Sequence, residues 1–544
     1  MNCYIAILII GNILFSLGLM VVARLSEKIL SPYWKILYLI PGGFLICIIS
    51  LYGYNEILLP ACIGAAVTVA GFVIEKKNVR YILCSLCMVL TVTSGILCMV
   101  IKNYGHKYAE NFENAFNVIR ENYILADYKD IDFDKLYEEY YPMFEEADKN
   151  NDPVLNTITW ARFAAEFHDG HVGYMCDNPD VTEEAERQMY GNDYGLSIMR
   201  LTDGRFVAIN VDETLSPMSN GCEIVSWDGA APAELLDIND NPIVYMPVMA
   251  ASANEDFYKP LLIAGIGGDT VDVTYVDEEG NTVDITLSKI GFYCDRLEET
   301  VNIINRGVDD IGTLCWKEVD DTTCLFRIKQ MAANLNSYGK DNYDDLTDSM
   351  REHMLAYKEE GYDTLIFDIR NNGGGDPYMI MAMASLVLPC GEEYYCSTSV
   401  FNEESWAFEK NADGSFVEGD RLVVEGEDLW NHGNIIVLVN AASISAADHF
   451  TALLDKCPNV TVMGFTGSNS SGQAVQGIHI SDNEEFSLST VPVLDEEGDI
   501  FIDTGTDGNS GVGIDHIIEF DENAVHALFD EDEDYVLDYA LDYN

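Results

Sequence analysis

The sequence predicts an α/β protein of several domains, and three stretches carry that prediction. Ile435 to Val439 is a short apolar run, β-branched and bounded by turn formers, which reads as a fully buried strand. Small residues follow, Ala441-Ala442-Ser443-Ile444-Ser445-Ala446-Ala447, and a helical pattern continues with Phe450, Leu453 and Leu454 on one side. Thr364 to Ile369 repeats the scheme, with a glycine turn at Asn371-Asn372-Gly373-Gly374-Gly375 and a helix over Met379–Leu388. Between these and the start of the chain, residues 190 to 290 read as short strands with little helix beyond Pro232–Leu236. A chain of 544 residues exceeds one hydrophobic core and divides into segments at 1–103, 104–189, 190–292 and 293–544.

The first segment holds four uncharged apolar runs, 1–23, 36–53, 57–74 and 81–101. Each is near or above the roughly 18–20 residues that cross a bilayer core, so a four-span transmembrane anchor is expected. Arg24, Lys28 and Lys35 in the first loop, and Lys76, Lys77 and Arg80 in the third, place those loops inside by the positive-inside rule. The expected localisation is a multi-pass cell-membrane protein with everything after Lys102 extracytoplasmic.

Residues 104–189 carry a helical spacing of Phe112, Phe116, Ile119 and later Leu136, Tyr140, Phe144, Ile158 and Phe163. The block ends in Phe167-His168-Asp169-Gly170-His171, where Asp-Gly marks a turn and His171 opens a strand. A histidine there suits a general base, because its unperturbed pKa lies near neutrality; the plain alternative is a surface or core histidine. In 190–292, Asn220-Gly221-Cys222-Glu223-Ile224-Val225 and the alternating Val271–Val276 suggest a small β-barrel with one helix. Its pattern resembles a PDZ domain, a module that binds peptide ends by strand addition.

In 293–544, a strand that ends in a small-residue turn and opens a helix presents a hydroxyl at a helix N-terminus. Unpaired N–H groups and the helix dipole there favour developing negative charge, which is how a serine nucleophile is mounted. The plain alternative is that Ser443 and Ser445 only cap the helix. The Gly373–Gly375 turn lacks the Gly-Lys-Ser/Thr of a phosphate loop, and its other use is a backbone N–H aimed at an oxyanion. The stretch from Phe520 to Asn544 reads as a closing helix or a frayed end.

Charge excludes one class of partner. The formal net charge is −61, and residues 104–544 hold 23 Lys and Arg against 88 Asp and Glu. Such a surface repels nucleic acid. No Cys/His spacing in this part fits zinc, so no metal is expected; Cys390 with Cys396, or Cys315 with Cys324, remain open as pairs.

Taken together, the ordered set Asp169-Gly170-His171, Asp368-Ile369-Arg370-Asn371-Asn372-Gly373-Gly374-Gly375, Ser443-Ile444-Ser445-Ala446-Ala447-Asp448, Val462-Met463-Gly464 and Gly511-Val512-Gly513-Ile514-Asp515 resembles the S41 peptidases, the carboxyl-terminal processing proteases and the tricorn core protease. The resemblance covers roughly residues 105–540. It implies a crotonase/ClpP-like α/β protease core with a helical N-terminal part and an inserted PDZ-like β-domain. It places the nucleophile on Ser445, with Ser443 as fallback, and the oxyanion donors on the backbone N–H groups of Gly374 and Ala446. The processing proteases use a lysine about 25 residues after the serine. That place is Ser470 here, with no lysine nearby, so a Ser–Lys dyad is out. The tricorn-like branch maps its base to His171. Its acid falls nearest Gly508, giving Asp507 as the expected third member, with Asp503 a little upstream. The implied function is a membrane-anchored serine endopeptidase acting on peptides or proteins outside the cytoplasm, without cofactor. The alternative is a catalytically inactive peptide- or ligand-binding module on the same fold.

Overall fold

The structure, a computed structural model, describes residues 107–543 apart from 308–313, 333–340, 392, 406, 507 and 509–511. Three helices open it: α1 (Tyr108–Asn122), α2 (Phe133–Asn150) and α3 (Pro153–Ala165). Asp132 and Asp152 cap the second and third by accepting backbone N–H groups, and Pro153 occupies the first turn, where its missing N–H costs nothing. The apolar spacing buries one aromatic cluster. Phe112 stacks on Phe144 at 4.3 Å between ring centroids and meets Trp160 and Phe163 edge-on. Phe167, at the end of this block, packs on Tyr123 and Phe163, so the turn that follows is anchored in the densest aromatic packing of the unit.

Residues 190–292 contain five antiparallel strands: β1 (Ser197–Arg200), β2 (Phe206–Ile209), β3 (Glu223–Trp227), β4 (Thr270–Val276) and β5 (Thr282–Ser288). They lie side by side in sequence order, with β1 and β5 as the two edges. This is an open meander rather than the expected closed barrel, and the PDZ-like reading finds no support in that order.

The core sheet has the order β11-β10-β9-β8-β7-β6. Its strands are β6 (Leu314–Glu318), β7 (Thr323–Ile328), β8 (Thr364–Asp368), β9 (Asn434–Leu438), β10 (Val460–Gly464) and β11 (His516–Ile517). All neighbours are parallel except β6 and β7. Parallel strands are covered on both faces, which is why β8 and β9 read as unbroken apolar runs. Alternate residues serve two cores. Ile366, Ile436, Leu438 and Met463 face one that includes the meander, while Leu365, Phe367, Val437 and Val462 face the other. The second contains α4 (Asp341–Glu360), α5 (Pro377–Ser385) and α6 (Ala446–Asp455) through Met354, Met383 and Phe450. The C-terminal stretch forms Glu522–Phe529 and a helix α7 (Tyr535–Asp542) rather than a frayed end.

Two expectations need correction. Among the described residues no helix is long and apolar enough to cross a membrane, and the four apolar runs of 1–103 lie outside those residues. The four transmembrane helices, the membrane partner and the multi-pass localisation therefore have no support, and the fold that stands is the mixed α/β architecture. Apolar run length alone carried that expectation, and run length does not report an actual span. The eight cysteines beyond residue 103 are all free. Cys315 lies across from Arg327, not Cys324, in the β6–β7 register.

Candidate active site

Four backbone segments meet at the C-terminal ends of β8 and β9, where parallel sheets place their sites. The first is the turn into α6. Ser445 holds φ +63° and ψ −116°, a backbone conformation that β-carbon-bearing residues rarely adopt. Its N–H donates to Asp448 Oδ2 at 2.8 Å, one half of a capping box at the start of the helix. Ser445 is half-buried, and the Ala446 N–H that follows it makes no hydrogen bond within the described protein. Ser443 differs on each point. It is fully buried, donates its hydroxyl to Ile369 O at 2.8 Å and accepts the Asn440 N–H, so its hydroxyl braces β8 against β9.

The second segment is the glycine turn. A Cβ at Gly374 would stand 2.6 Å from Ser445 Cβ and 2.8 Å from Ile444 O, and its φ is +85°. Only glycine allows these backbones to approach so closely. Ile444 N–H donates to Asn372 O at 3.0 Å, tying the two turns together. The Gly374 N–H itself donates to Asn372 Oδ1 at 2.9 Å, and Asn372 Nδ2 holds Ile328 O. Of the two expected oxyanion donors, Ala446 N–H is open and Gly374 N–H is engaged by a neighbouring side chain.

Behind the turn, Arg370 is buried and donates to Asp368 and, through both terminal nitrogens, to Asp534 at the start of α7. Arg327 adds a 2.9 Å pair to Asp368. Burial opposes ionisation of Asp368, but Arg370 and Arg327 outweigh it and hold its carboxyl below the usual range.

The third segment is Thr466–Gly472. Asp448, fully buried, accepts Ser470 N–H at 2.8 Å and Ser471 N–H at 3.2 Å as well as that of Ser445. Burial pushes its carboxyl up to about 7 against those three donors. Ser470 holds φ +69°, and its N–H goes to Asp448. The fourth segment is the Asp169-Gly170-His171 turn. Gly170 N–H donates to Ser471 Oγ at 2.8 Å, and a Cβ at Gly170 would stand 2.6 Å from Ile444 Cδ1 and collide with Asn469. Asp169 is buried and accepts Tyr123 Oη, Ser489 Oγ and the His171 N–H. Thus the turn bearing His171 packs against the residue preceding Ser445. His171 is buried, its Nδ1 has no hydrogen-bond partner, and no hydrogen bond joins its ring to Ser445. Burial lowers its pKa below 6.5, although the charge of Asp169 pulls the other way.

Asp507 lies outside the described residues. Asp503 is buried and pairs with Lys129 Nζ at 2.6 Å, which also donates to His168 O and Thr504 O. Burial, then the charge of Asp169, push the Asp503 carboxyl well above its usual range against the pull of Lys129, so it can take up a proton when the cation is removed. Lys129→Met should cost about 1–3 kcal/mol in urea unfolding, from the bonds lost at His168 O and Thr504 O. A loss of about 3–5 kcal/mol would show instead that Asp503 is ionised in the folded protein. Two participants escaped the sequence reading. Lys129 gave no local signal, because its partners come from the far end of the chain. His449 had one: it stands four residues after Ser445, one helical turn on. No group of His, Cys, Asp or Glu among the described residues could hold a metal ion.

A serine at a strained strand–helix turn, set against a glycine turn and near a turn that bears a buried histidine, is an arrangement a serine-type peptidase could use. Residues 322–510 match peptidase family S41, and residues 104–153 match the Tricorn protease C1 domain. Over residues 322–510 the chain is similar to the S41 peptidases, and this match supports a serine-type peptidase. Its fold is similar to that of mature CPAF complexed with lactacystin, at 13% identity and TM-score 0.50, covering 82% of this chain and 100% of that one. Mature CPAF alone gives 13% identity and TM-score 0.51 over 80% and 96% of the two chains. The photosystem II D1 C-terminal processing protease aligns at 14% identity and TM-score 0.33 over 79% of this chain and 98% of that one. No curated protein matches the sequence.

Proposed function

We propose that the chain is a serine endopeptidase in which Ser445 is the nucleophile and His171 its general base. The observation that carries this reading is the placement of Ser445. The Ser445 backbone is held at φ +63° at the start of the helix, beside the unpaired Ala446 N–H and against the bare face of Gly374. In the reaction His171 takes the hydroxyl proton as Ser445 attacks the scissile carbonyl, then returns it to the leaving amine; water hydrolyses the acyl-enzyme. Ala446 N–H and Gly374 N–H hold the oxyanion, the latter by releasing Asn372 Oδ1. Asp507 remains the proposed orienting carboxylate, to be tested as Asp507→Asn.

The test is labelling of the full chain with a fluorophosphonate. Label should be lost in Ser445→Ala and fall by about 100-fold or more in His171→Ala, the scale of general-base catalysis. Label surviving Ser445→Ala would reject the nucleophile, and no label in a folded wild type would return the chain to the binding-module reading. The pH profile has a predicted sign. Because burial lowers the His171 pKa, its base form persists under mild acid, so the labelling rate should rise with pH and reach half its maximum below pH 6.5. A midpoint above 6.5 would mean a neighbouring carboxylate outweighs burial.

A further inference from the structure

The helix that begins at Ser445 carries a second buried histidine. His449 is buried, and its Nε2 lies 2.8 Å from the Gly472 carbonyl. A carbonyl can only accept, so Nε2 bears the proton and Nδ1 is a lone-pair acceptor. That Nδ1 is buried without a partner. His171 has the complementary deficit. If its Nε2 is to take the Ser445 proton, its Nδ1 must carry a hydrogen, and that nitrogen too is buried without a partner. One site thus holds a donor lacking an acceptor beside an acceptor lacking a donor, each a costly omission in a protein interior.

The backbone brings them together. Gly170, the neighbour of His171, donates to Ser471 Oγ, and His449 grips Gly472, the next residue on that loop. The rings are near enough that, after burial, a charge on His171 helps lower the His449 pKa to about 4, keeping its lone pair free. Two carboxylates are rival acceptors: Asp507, whose orienting role in the reading above would pass to His449, and Asp503, whose Oδ2 is also unpartnered but whose other oxygen is spent on Lys129.

We propose that His449 is a positioning residue for the base: its Nδ1 accepts a hydrogen bond from His171 Nδ1–H when His171 turns its Nε2 to Ser445. The inference rests on the Ser445–His171 reading above. It gives this chain an orienting group on the nucleophile's own helix, one turn from the serine.

Two substitutions separate positioning from mere structure, by fluorophosphonate labelling rate in the full chain. His449→Gln keeps an N–H for the Gly472 carbonyl and removes the acceptor at the Nδ1 position. His449→Asn keeps an acceptor there and removes the N–H. Positioning predicts that Gln labels about 100-fold slower and that Asn stays within about tenfold of wild type. A purely structural role predicts the reverse order and would overturn the proposal. So would wild-type labelling in His449→Gln together with a 100-fold loss in Asp503→Asn or Asp507→Asn. Should His449→Gln fail to fold, ¹⁵N-histidine NMR of the phosphonylated wild type decides. A scalar coupling between the two Nδ1 atoms across the hydrogen bond supports the proposal, and an uncoupled His171 Nδ1–H refutes it. A wild type that does not label, or a Ser445→Ala that does, would instead fail the underlying reading.

Discussion

Gly374→Ala should nearly abolish labelling of Ser445 while leaving the fold in place. The added methyl would meet Ser445 Cβ at 2.6 Å and Ile444 O at 2.8 Å, inside any real contact distance, and both obstacles belong to the nucleophile's own turn. Alanine at φ +85° adds a backbone cost of about 1–2 kcal/mol. The strain has two outlets, moving the glycine turn or moving Ser445, and each separates the hydroxyl from an oxyanion donor. Loss of one such donor costs about 10²–10³ in rate, which sets the expected size. Labelling rate and a thermal melt measure the two effects separately. A variant that labels normally would show that the turn relaxes elsewhere and that the close approach is not functional.

Asp448→Ala should damage stability and labelling together. The buried carboxyl collects three backbone N–H groups, one from Ser445 and two from Ser470 and Ser471, and alanine would strand all three in the interior. Each stranded group costs about 1–3 kcal/mol, so a loss of about 3–5 kcal/mol in urea unfolding is expected after partial relaxation. The same bonds hold Ser445 at positive φ and fix the loop on which Gly170 leans, so labelling should drop by at least about 100-fold even where the variant is fully folded. Stability loss with normal labelling would reduce Asp448 to a helix-start residue. Asp448→Asn should fall between, since its amide keeps one acceptor oxygen but turns donors toward donors.

The elements that carry this site were legible because each is written locally. An apolar β-branched run followed by small residues or glycines is enough to place β8, β9 and the turns at Gly374 and Ser445. What the local pattern could not show is who bonds to whom across the chain. Nothing near Lys129 announces Asp503, and nothing in Asn371-Asn372-Gly373-Gly374 says that the Asn372 side chain will take the Gly374 N–H. Between Ser443 and Ser445 the sequence could choose only by position in the resemblance; burial, backbone conformation and the bond from Ser443 to Ile369 O are what distinguish them in the structure. Whether a run of short strands closes on itself depends on pairing between its edges, which periodicity does not encode, so the barrel expected over 190–292 is an open sheet. The four apolar runs mark the same limit from the other side, since an apolar run is a necessary sign of a span and not a sufficient one.

The salt links of Arg370 tie the glycine turn to the far end of the chain. Its guanidinium lies four residues before Gly374 and is neutralised from two directions, by Asp368 on its own strand and by Asp534 at the start of α7. During synthesis the strand and its glycine turn emerge long before residue 534. Until then the turn must harbour a cation with half its counter-charge missing, which a dry interior tolerates poorly. The glycine turn thus depends for its charge balance on a carboxylate 164 positions downstream, which couples it to the closing helix of the chain.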